Sequence, residues 1–156
     1  MLENNLLKVF ISAMLPITEL RGALPLALLH YRIDIVTAYF ITVIGNMIPV
    51  IFIVFLLDPV QKFLSSRSRL FRWFFQKLFE RTRSKHTKRF ETMEEIALIT
   101  FVAIPLPMTG GWSGALAAFV FGISPKKSIP LIFLGVAIAG VIVSILTLGV
   151  RFIITG

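Results

Sequence analysis

Two long apolar runs, residues 35–57 and 128–150, dominate the distribution of hydrophobic and polar positions along the chain. Each run is 23 residues long and contains no charged side chain. At about 1.5 Å per residue, a helix of that length reaches roughly 34 Å, which is enough to cross a hydrocarbon core of about 30 Å. The pattern therefore predicts two membrane-spanning helices in an all-α integral membrane protein.

Each run is preceded by an apolar segment that proline and glycine interrupt, residues 5–30 in the first half and 96–123 in the second. The interrupting residues are Pro16, Gly22 and Pro25 in the first segment, and Pro105, Pro107, Gly110, Gly111 and Gly114 in the second. Because three glycines in five residues disfavour a helix, we expect irregular backbone from 110 to 114, buried in protein or lining a wet cavity. Two structures fit such a segment: one kinked spanning helix, or a re-entrant hairpin that leaves the membrane on the side it entered.

The two halves share one order of elements, which predicts an internal repeat. Pro16 and Pro107 are 91 residues apart, and Gly45 and Gly135 are 90 apart. We place repeat 1 at residues 3–57 and repeat 2 at 95–154, within one membrane domain. Re-entrant segments would make the halves inverted, and fully spanning segments would make them parallel. The number of Lys and Arg residues on the cytoplasmic side does not distinguish inverted from parallel halves, since either arrangement places 12 of them inside. We expect inverted repeats, each a re-entrant helical hairpin followed by a transmembrane helix.

A basic linker, residues 58–94, separates the repeats and carries most of the charge. Ten of the 16 Lys and Arg residues lie between Lys62 and Arg89, interleaved with apolar residues near helical spacing. This pattern is typical of an amphipathic helix on an anionic membrane face, and it indicates a cytoplasmic loop of an inner-membrane protein. The alternative is a platform for a partner protein or for the substrate's head group.

Overall composition agrees with a membrane protein: 56% of residues are hydrophobic and the mean hydropathy is +0.87. The net charge of +8 could suggest nucleic acid. Its position beside a membrane segment favours lipid head groups as partners instead. The absence of cysteine excludes a disulfide framework and a thiolate metal site, and we expect neither a metal nor a cofactor. Glu3 and Lys8 precede the first apolar residues without a basic signal-peptide start, so we expect the N-terminus to be retained.

Glu19 and Arg21 are the charges that we place at membrane depth. Each costs about 2.5 to 3.5 kcal/mol at the bilayer centre, which implies compensation and usually function. One interpretation is a local ion pair that orders the loop. The sharper hypothesis has Arg21 binding an anionic group while Glu19 takes up and releases a proton.

The second broken segment adds backbone amide donors at residues 109–114, which suit a phosphate or a carboxylate. Trp112 could stack on a ligand, wall it off, or only pack. Asn46, inside the first apolar run, indicates a helix–helix hydrogen bond more than a substrate ligand. The candidate substrate-binding residues are Thr18, Arg21, Thr109, Gly110, Gly111, Trp112, Ser113 and Gly114.

Residues 111–114 match the Gly-x-Ser-Gly that presents the serine of rhomboid proteases, which would indicate an enzyme. A serine nucleophile needs a base within hydrogen-bond reach. The two histidines, His30 and His86, fall at an interface and in the linker. We therefore expect no catalytic activity.

Taken together, the two motifs resemble those of the small multidrug export family, along residues 8 to 150. The matching residues are Pro16, Glu19, Arg21, Gly22, Ala23 and Pro25 in the first motif, and Pro105, Pro107, Thr109, Gly110, Trp112, Gly114 and Leu116 in the second. A weaker resemblance extends to the DedA/VTT superfamily, whose members have an essential acid in the first re-entrant loop and arginine in the second. Glu19 matches the acid by position, but here the arginine is in the first loop.

This resemblance implies two inverted hairpins, membrane transport and often proton coupling; some DedA relatives are linked to moving undecaprenyl phosphate. We expect a transporter that moves an anionic amphiphile such as a lipid phosphate. One alternative is an exporter of small cationic drugs, with Glu19 as the cation site and Arg21 pointing away. Another is a scaffold that does not transport. With so few spans in one chain, we expect a homodimer.

Overall fold

The computed structural model describes residues 2–70, 72–73, 76–77, 88–106 and 109–155. Within these ranges the chain is helical and contains no strand, which confirms the all-α prediction for the part described. The helices are α1 (Leu2–Met14), α2 (Glu19–Pro25) with a π-helical turn (Leu26–His30), α3 (Ile35–Arg67), α4 (Lys88–Ala103), α5 (Gly111–Val120) and α6 (Pro125–Thr155).

The first broken segment folds back on itself at residues 15–18. α1 packs against α2 and also contacts the π-helical turn that follows it. In one continuous helix the start of that turn would lie roughly 18 Å beyond Met14. We call α1, α2 and the π-helical turn hairpin 1; a single kinked helix does not describe it.

The second broken segment, hairpin 2, consists of α4 and α5 joined by residues 104–110. The expectation of irregular backbone across the glycines was wrong from Gly111 onward, because α5 begins there and includes Gly114. Close packing explains why glycine is found in this helix. A Cβ on Gly114 would lie 2.5 Å from Cγ2 of Val102, and one on Gly111 would lie 2.3 Å from Oδ1 of Asn46. Tertiary packing here outweighs the low helix propensity of glycine.

The two ends of hairpin 2 lie at the same end of the molecule. Nζ of Lys127, in the first turn of α6, is 3.1 Å from Oε1 of Glu95 and 3.7 Å from Oε2 of Glu91. Both glutamates belong to the first half of α4. The chain therefore enters α4 and leaves α5 on one side of the molecule.

α3 is longer than the apolar run that predicted it. It passes through Pro49 and Pro59 and ends at Arg67, where Ser68 adopts an extended conformation. Residues 58–67, expected in the linker, are thus the last turns of α3. Residues 69–70, 72–73 and 76–77 are also helical. The rest of the predicted amphipathic helix, up to residue 87, lies outside the described residues.

In each half, one glycine lies where the hairpin meets the long helix. A Cβ on Gly45 of α3 would lie 2.9 Å from the carbonyl oxygen of Phe10, and one on Gly135 of α6 would lie 3.0 Å from that of Ile99. Both glycines therefore let a long helix approach the backbone of the hairpin's first helix.

Each long helix then continues to the other hairpin. Asn46 and Val50 of α3 meet Gly111 of hairpin 2, while Gly140 of α6 meets Leu20 of hairpin 1. α3 and α6 are also linked directly, since the Tyr39 hydroxyl donates to the carbonyl of Ala137 at 3.0 Å. The two hairpin tips are thereby held between the long helices.

The outward surfaces of α3 and α6 are strongly apolar. Phe52 is 71% exposed on α3, and Phe152 is 78% exposed on α6. Both helices are long and apolar enough to cross a membrane, and their most apolar 18-residue stretches have mean hydropathies of 2.6 and 2.8. Large apolar side chains facing outward are what a lipid-exposed helix presents, whereas the core helix of a soluble protein turns them inward.

Candidate functional site

The candidate site is a narrow crevice where the tips of hairpin 1 and hairpin 2 meet between α3 and α6. It encloses about 10 Å³, the room of one water-sized group. The residues that line it are Glu19, Leu20, Arg21, Asn46, Val102, Gly110, Gly111, Val136 and Ala139. Two oppositely charged side chains and one amide thus face a small, otherwise apolar space.

Glu19 places its carboxylate at the N-terminus of α5. The side chain is buried, and Oε1 accepts a hydrogen bond from the amide of Trp112 at 3.3 Å. A Cβ on Gly110, the N-cap residue, would lie only 1.3 Å from Oε2. The carboxylate therefore fills the space that any other N-cap residue would need. Unpaired amides and the helix dipole make this position favourable for an anion, and here the anion belongs to the protein.

The backbone of Glu19 is itself unusual, with φ of 44° in the left-handed region. Residues other than glycine adopt this conformation at a cost of order 1 to 3 kcal/mol, and such strain clusters at functional sites. The neighbouring contacts hold it in place, since Leu20 is buried and the carboxylate is fixed at α5. The tip of hairpin 1 is thus built to direct this carboxylate toward hairpin 2.

Arg21 binds the opposite kind of helix end. Its guanidinium donates to the carbonyl oxygens of Val102 at 3.2 Å and Ile104 at 3.1 Å, and to those of Thr109 and Leu106. These carbonyls belong to the last turn of α4 and to the irregular segment after it, where helical partners are missing. A cation is favourable at this negative end of a helix. Arg21 therefore caps α4 from the facing hairpin.

Glu19 and Arg21 do not pair with each other. No carboxylate oxygen of Glu19 lies within 4 Å of a guanidinium nitrogen of Arg21, although both residues are within the described part of the chain. Each instead contacts hairpin 2, at the start of α5 and the end of α4. The hypothesis of a local ion pair therefore does not describe the arrangement.

The other predicted polar residues bond to nearby carbonyls. Thr18 donates to the carbonyl of Ser12, and Thr109 donates to those of Ile104 and Leu106 at 2.8 and 2.9 Å. The Ser113 hydroxyl lies 3.2 Å from the Gly110 carbonyl. These hydroxyls shape the two tips.

Trp112 joins the tips to each other. Its indole Nε1 donates to the carbonyl of Met14, the last residue of α1, at 3.1 Å. Of the predicted substrate-binding set, the structure brings Arg21, Gly110 and Gly111 to the crevice, with Glu19. Of the prolines and glycines that interrupt the two apolar segments, Pro107 lies outside the described residues.

Asn46 lines the candidate site, although the sequence pattern had indicated a helix–helix hydrogen bond for it. It is 1% exposed, it lines the crevice, and none of the described residues donates a hydrogen bond to its Oδ1. The helix–helix hydrogen bond expected of it is therefore not made by this oxygen. The signal in the sequence was a lone amide within an apolar run of 23 residues.

This fold and this site define a helical membrane protein of a kind consistent with a transporter: two long apolar helices hold two broken segments whose charged tips interlock. A family model described as "Putative small multi-drug export protein" matches residues 19–142, which is most of the chain and includes Glu19, Arg21 and hairpin 2. The chain therefore belongs to the small multidrug export family. No curated protein and no solved structure matches it. The similarity to the DedA/VTT superfamily stays a prediction.

Proposed function

We propose that this protein exports cationic amphiphiles and that Glu19 binds the cation and a proton in turn. The observation that carries the proposal is the position of Arg21, whose guanidinium donates to carbonyls of hairpin 2. Export of cations requires that Arg21 be directed away from the substrate. An anionic substrate requires free donors, and both the guanidinium and the Trp112 amide already have protein partners.

Glu19 suits this role because it is a buried carboxylate with no cationic partner within 4 Å among the described residues. Buried charges are usually paired, so a cationic head group would complete the site. A carboxylate that holds a proton cannot also pair with a cation. By linkage, cation binding releases a proton and weakens as the pH falls. A proton gradient could then drive export, since the inward proton displaces the outward cation.

Alternating access requires two repeats that move against each other. We propose an inverted pair, because each half combines one hairpin with one long helix and so would cross the membrane once. α3 meets hairpin 1 at Gly45 and then hairpin 2 at Asn46 and Val50. α6 meets hairpin 2 at Gly135 and then hairpin 1 at Gly140. Each long helix thus meets the hairpin of its own half first and the other hairpin second, as the members of a two-fold repeat would.

In this arrangement the protein is a multi-pass inner-membrane protein. The basic linker lies in the cytoplasm, by the positive-inside rule. The apolar outer faces of α3 and α6 leave room for a second protomer, and we propose a dimer.

A second candidate function is transport of a lipid phosphate. The observation that favours it is that the N-terminus of α5 already holds an anion, the Glu19 carboxylate. A phosphate could bind there by displacing Glu19, for example when that carboxylate is protonated. A scaffold that uses the basic linker is the remaining alternative.

Ligand binding by the purified protein separates these functions. A lipophilic cation and a polyprenyl phosphate would be titrated against wild type, Glu19→Gln and the control Glu95→Gln, an acid at the start of hairpin 2. We expect the cation to bind at neutral pH, to be released on acidification, and to be lost in Glu19→Gln alone. Phosphate binding that persists or strengthens in Glu19→Gln, without cation binding, would replace the proposal by the second candidate. If neither ligand binds, the scaffold is favoured.

The membrane topology can be tested by cysteine labelling, because the sequence contains no cysteine that would react in the background. Single cysteines at His30 and Lys127 would be labelled with an impermeant maleimide from each side of the membrane. Re-entrant hairpins predict that His30→Cys reacts from outside and Lys127→Cys from the cytoplasm. Reaction of both from outside would mean that the broken segments span the membrane.

A further inference from the structure

One buried polar atom at the crevice has no role in the function proposed so far. Oδ1 of Asn46 accepts no hydrogen bond from the described residues, although the side chain is 1% exposed. An unpaired buried acceptor is costly, and such an atom in a native structure calls for a partner. The partner must be a hydrogen-bond donor, since the atom is an amide oxygen.

Asn46 shares the crevice with the Glu19 carboxylate, which approaches from the facing hairpin. The two side chains supply an anionic acceptor and a neutral one around a space of about 10 Å³. None of the described lining residues is aromatic. Quaternary ammonium ions are typically held by aromatic cages, so this space lacks the surfaces that such ions use.

We propose that Asn46 and Glu19 together bind a primary ammonium group, so that the preferred substrates are amphiphiles ending in –NH₃⁺. This inference rests on the proposed function and adds the class of head group to it. A primary ammonium carries three N–H donors and one positive charge, and it is about the size of a water molecule. It can bond the carboxylate and the amide oxygen at once. A trimethylammonium group has no N–H donor and cannot bond the amide oxygen.

Arg21 is the other charged group on the crevice, and it opposes a cation. α3, α5 and α6 contribute no charged side chain to the described lining. The guanidinium is directed to carbonyl oxygens at the end of α4, which partly balance its charge. Ammonium binding therefore depends on ionised Glu19, and acidification removes it.

The test compares octylamine with octyltrimethylammonium as ligands of the protein in lipid nanodiscs at neutral pH. We expect wild type to bind the amine about tenfold more tightly or better, the effect of one hydrogen bond to a charged group. Asn46→Leu should reduce the preference to about twofold or less while it still binds the quaternary ion. The matched control is Ser144→Ala, which removes a buried hydroxyl that is also unpaired among the described residues but does not line the crevice. This control should keep the wild-type preference.

The possible outcomes distinguish failure of the ammonium site from failure of the proposed cation export. If wild type binds both ligands equally, the ammonium site is wrong while cation export stands. If wild type binds neither, both proposals fail. If Asn46→Leu keeps the preference, Asn46 is not the second acceptor. Should Asn46→Leu fail to fold, Asn46→Thr takes its place, and the wild-type preference decides by itself.

Discussion

Replacing Gly110 by alanine tests where the Glu19 carboxylate lies. The added Cβ would be 1.3 Å from Oε2, 2.2 Å from Cδ and 2.6 Å from Oε1, so the whole carboxylate must leave. The backbone itself accepts alanine, since Gly110 has φ of −92° and ψ of −160°. Any loss of stability therefore comes from the displaced carboxylate.

The expected loss follows from the contacts of that carboxylate. A hydrogen bond to a charged group contributes about 1.5 to 3 kcal/mol. An anion at a helix N-terminus contributes about 0.3 to 1 kcal/mol. Replacing glycine by alanine returns up to about 1 kcal/mol by restricting the unfolded chain. The free energy of unfolding should thus fall by about 2 kcal/mol.

Unfolding in detergent micelles, measured for wild type, Gly110→Ala, Glu19→Gly and the double variant, forms a double-mutant cycle. Glycine at position 19 removes the carboxylate and tolerates the left-handed backbone. Without the carboxylate, alanine at position 110 should cost nothing. The control is Gly149→Ala, because a Cβ there has nothing within 4 Å and should be neutral or stabilising. An equal loss with and without the carboxylate would refute the placement of Glu19 beside Gly110.

Three further predictions concern the contacts that hold the hairpins and the N-cap of α3. Arg21→Lys should lower the free energy of unfolding by about 2 kcal/mol, because an ammonium group cannot make the planar set of hydrogen bonds that the guanidinium makes. Chemical unfolding measures this loss, and an unchanged unfolding midpoint would contradict it. Gly45→Ala and Gly135→Ala should each cost about 1 to 3 kcal/mol by separating a hairpin from its long helix, and a loss in only one would argue against equivalent packing. Hydrogen bonds from the Thr37 side chain and amide lower the pKa of Asp34, the N-cap of α3. A lowered pKa stabilises the fold above the ordinary carboxyl range, near pH 4, and the gain is lost as the pH falls through the lowered value. Asp34→Ala should therefore melt earlier than wild type at neutral pH, and the two melting curves should converge in strong acid.

The sequence by itself determined the fold class and the position of the long helices. Runs of 23 apolar residues can be buried only in lipid or in a large core, so 35–57 and 128–150 had to be helices of membrane length. Pro16 and the prolines near residue 106 marked where the shorter segments break, because proline removes a donor and blocks the helix. The offset of 90 residues between Gly45 and Gly135 was visible in the sequence as well.

The tertiary structure decided what the charged residues bind. Arg21 donates to backbone carbonyls 81 to 88 residues away, and every sequence has carbonyls, so no pattern could point to these. Glu19 meets Gly110 only because both hairpin tips are held between α3 and α6. The same contact explains why α5 starts within a run of glycines, since the carboxylate bonds an amide of its first turn and occupies the space of a Cβ. An unpaired Asn46 oxygen likewise exists only once its neighbours are packed, because pairing is a property of the fold.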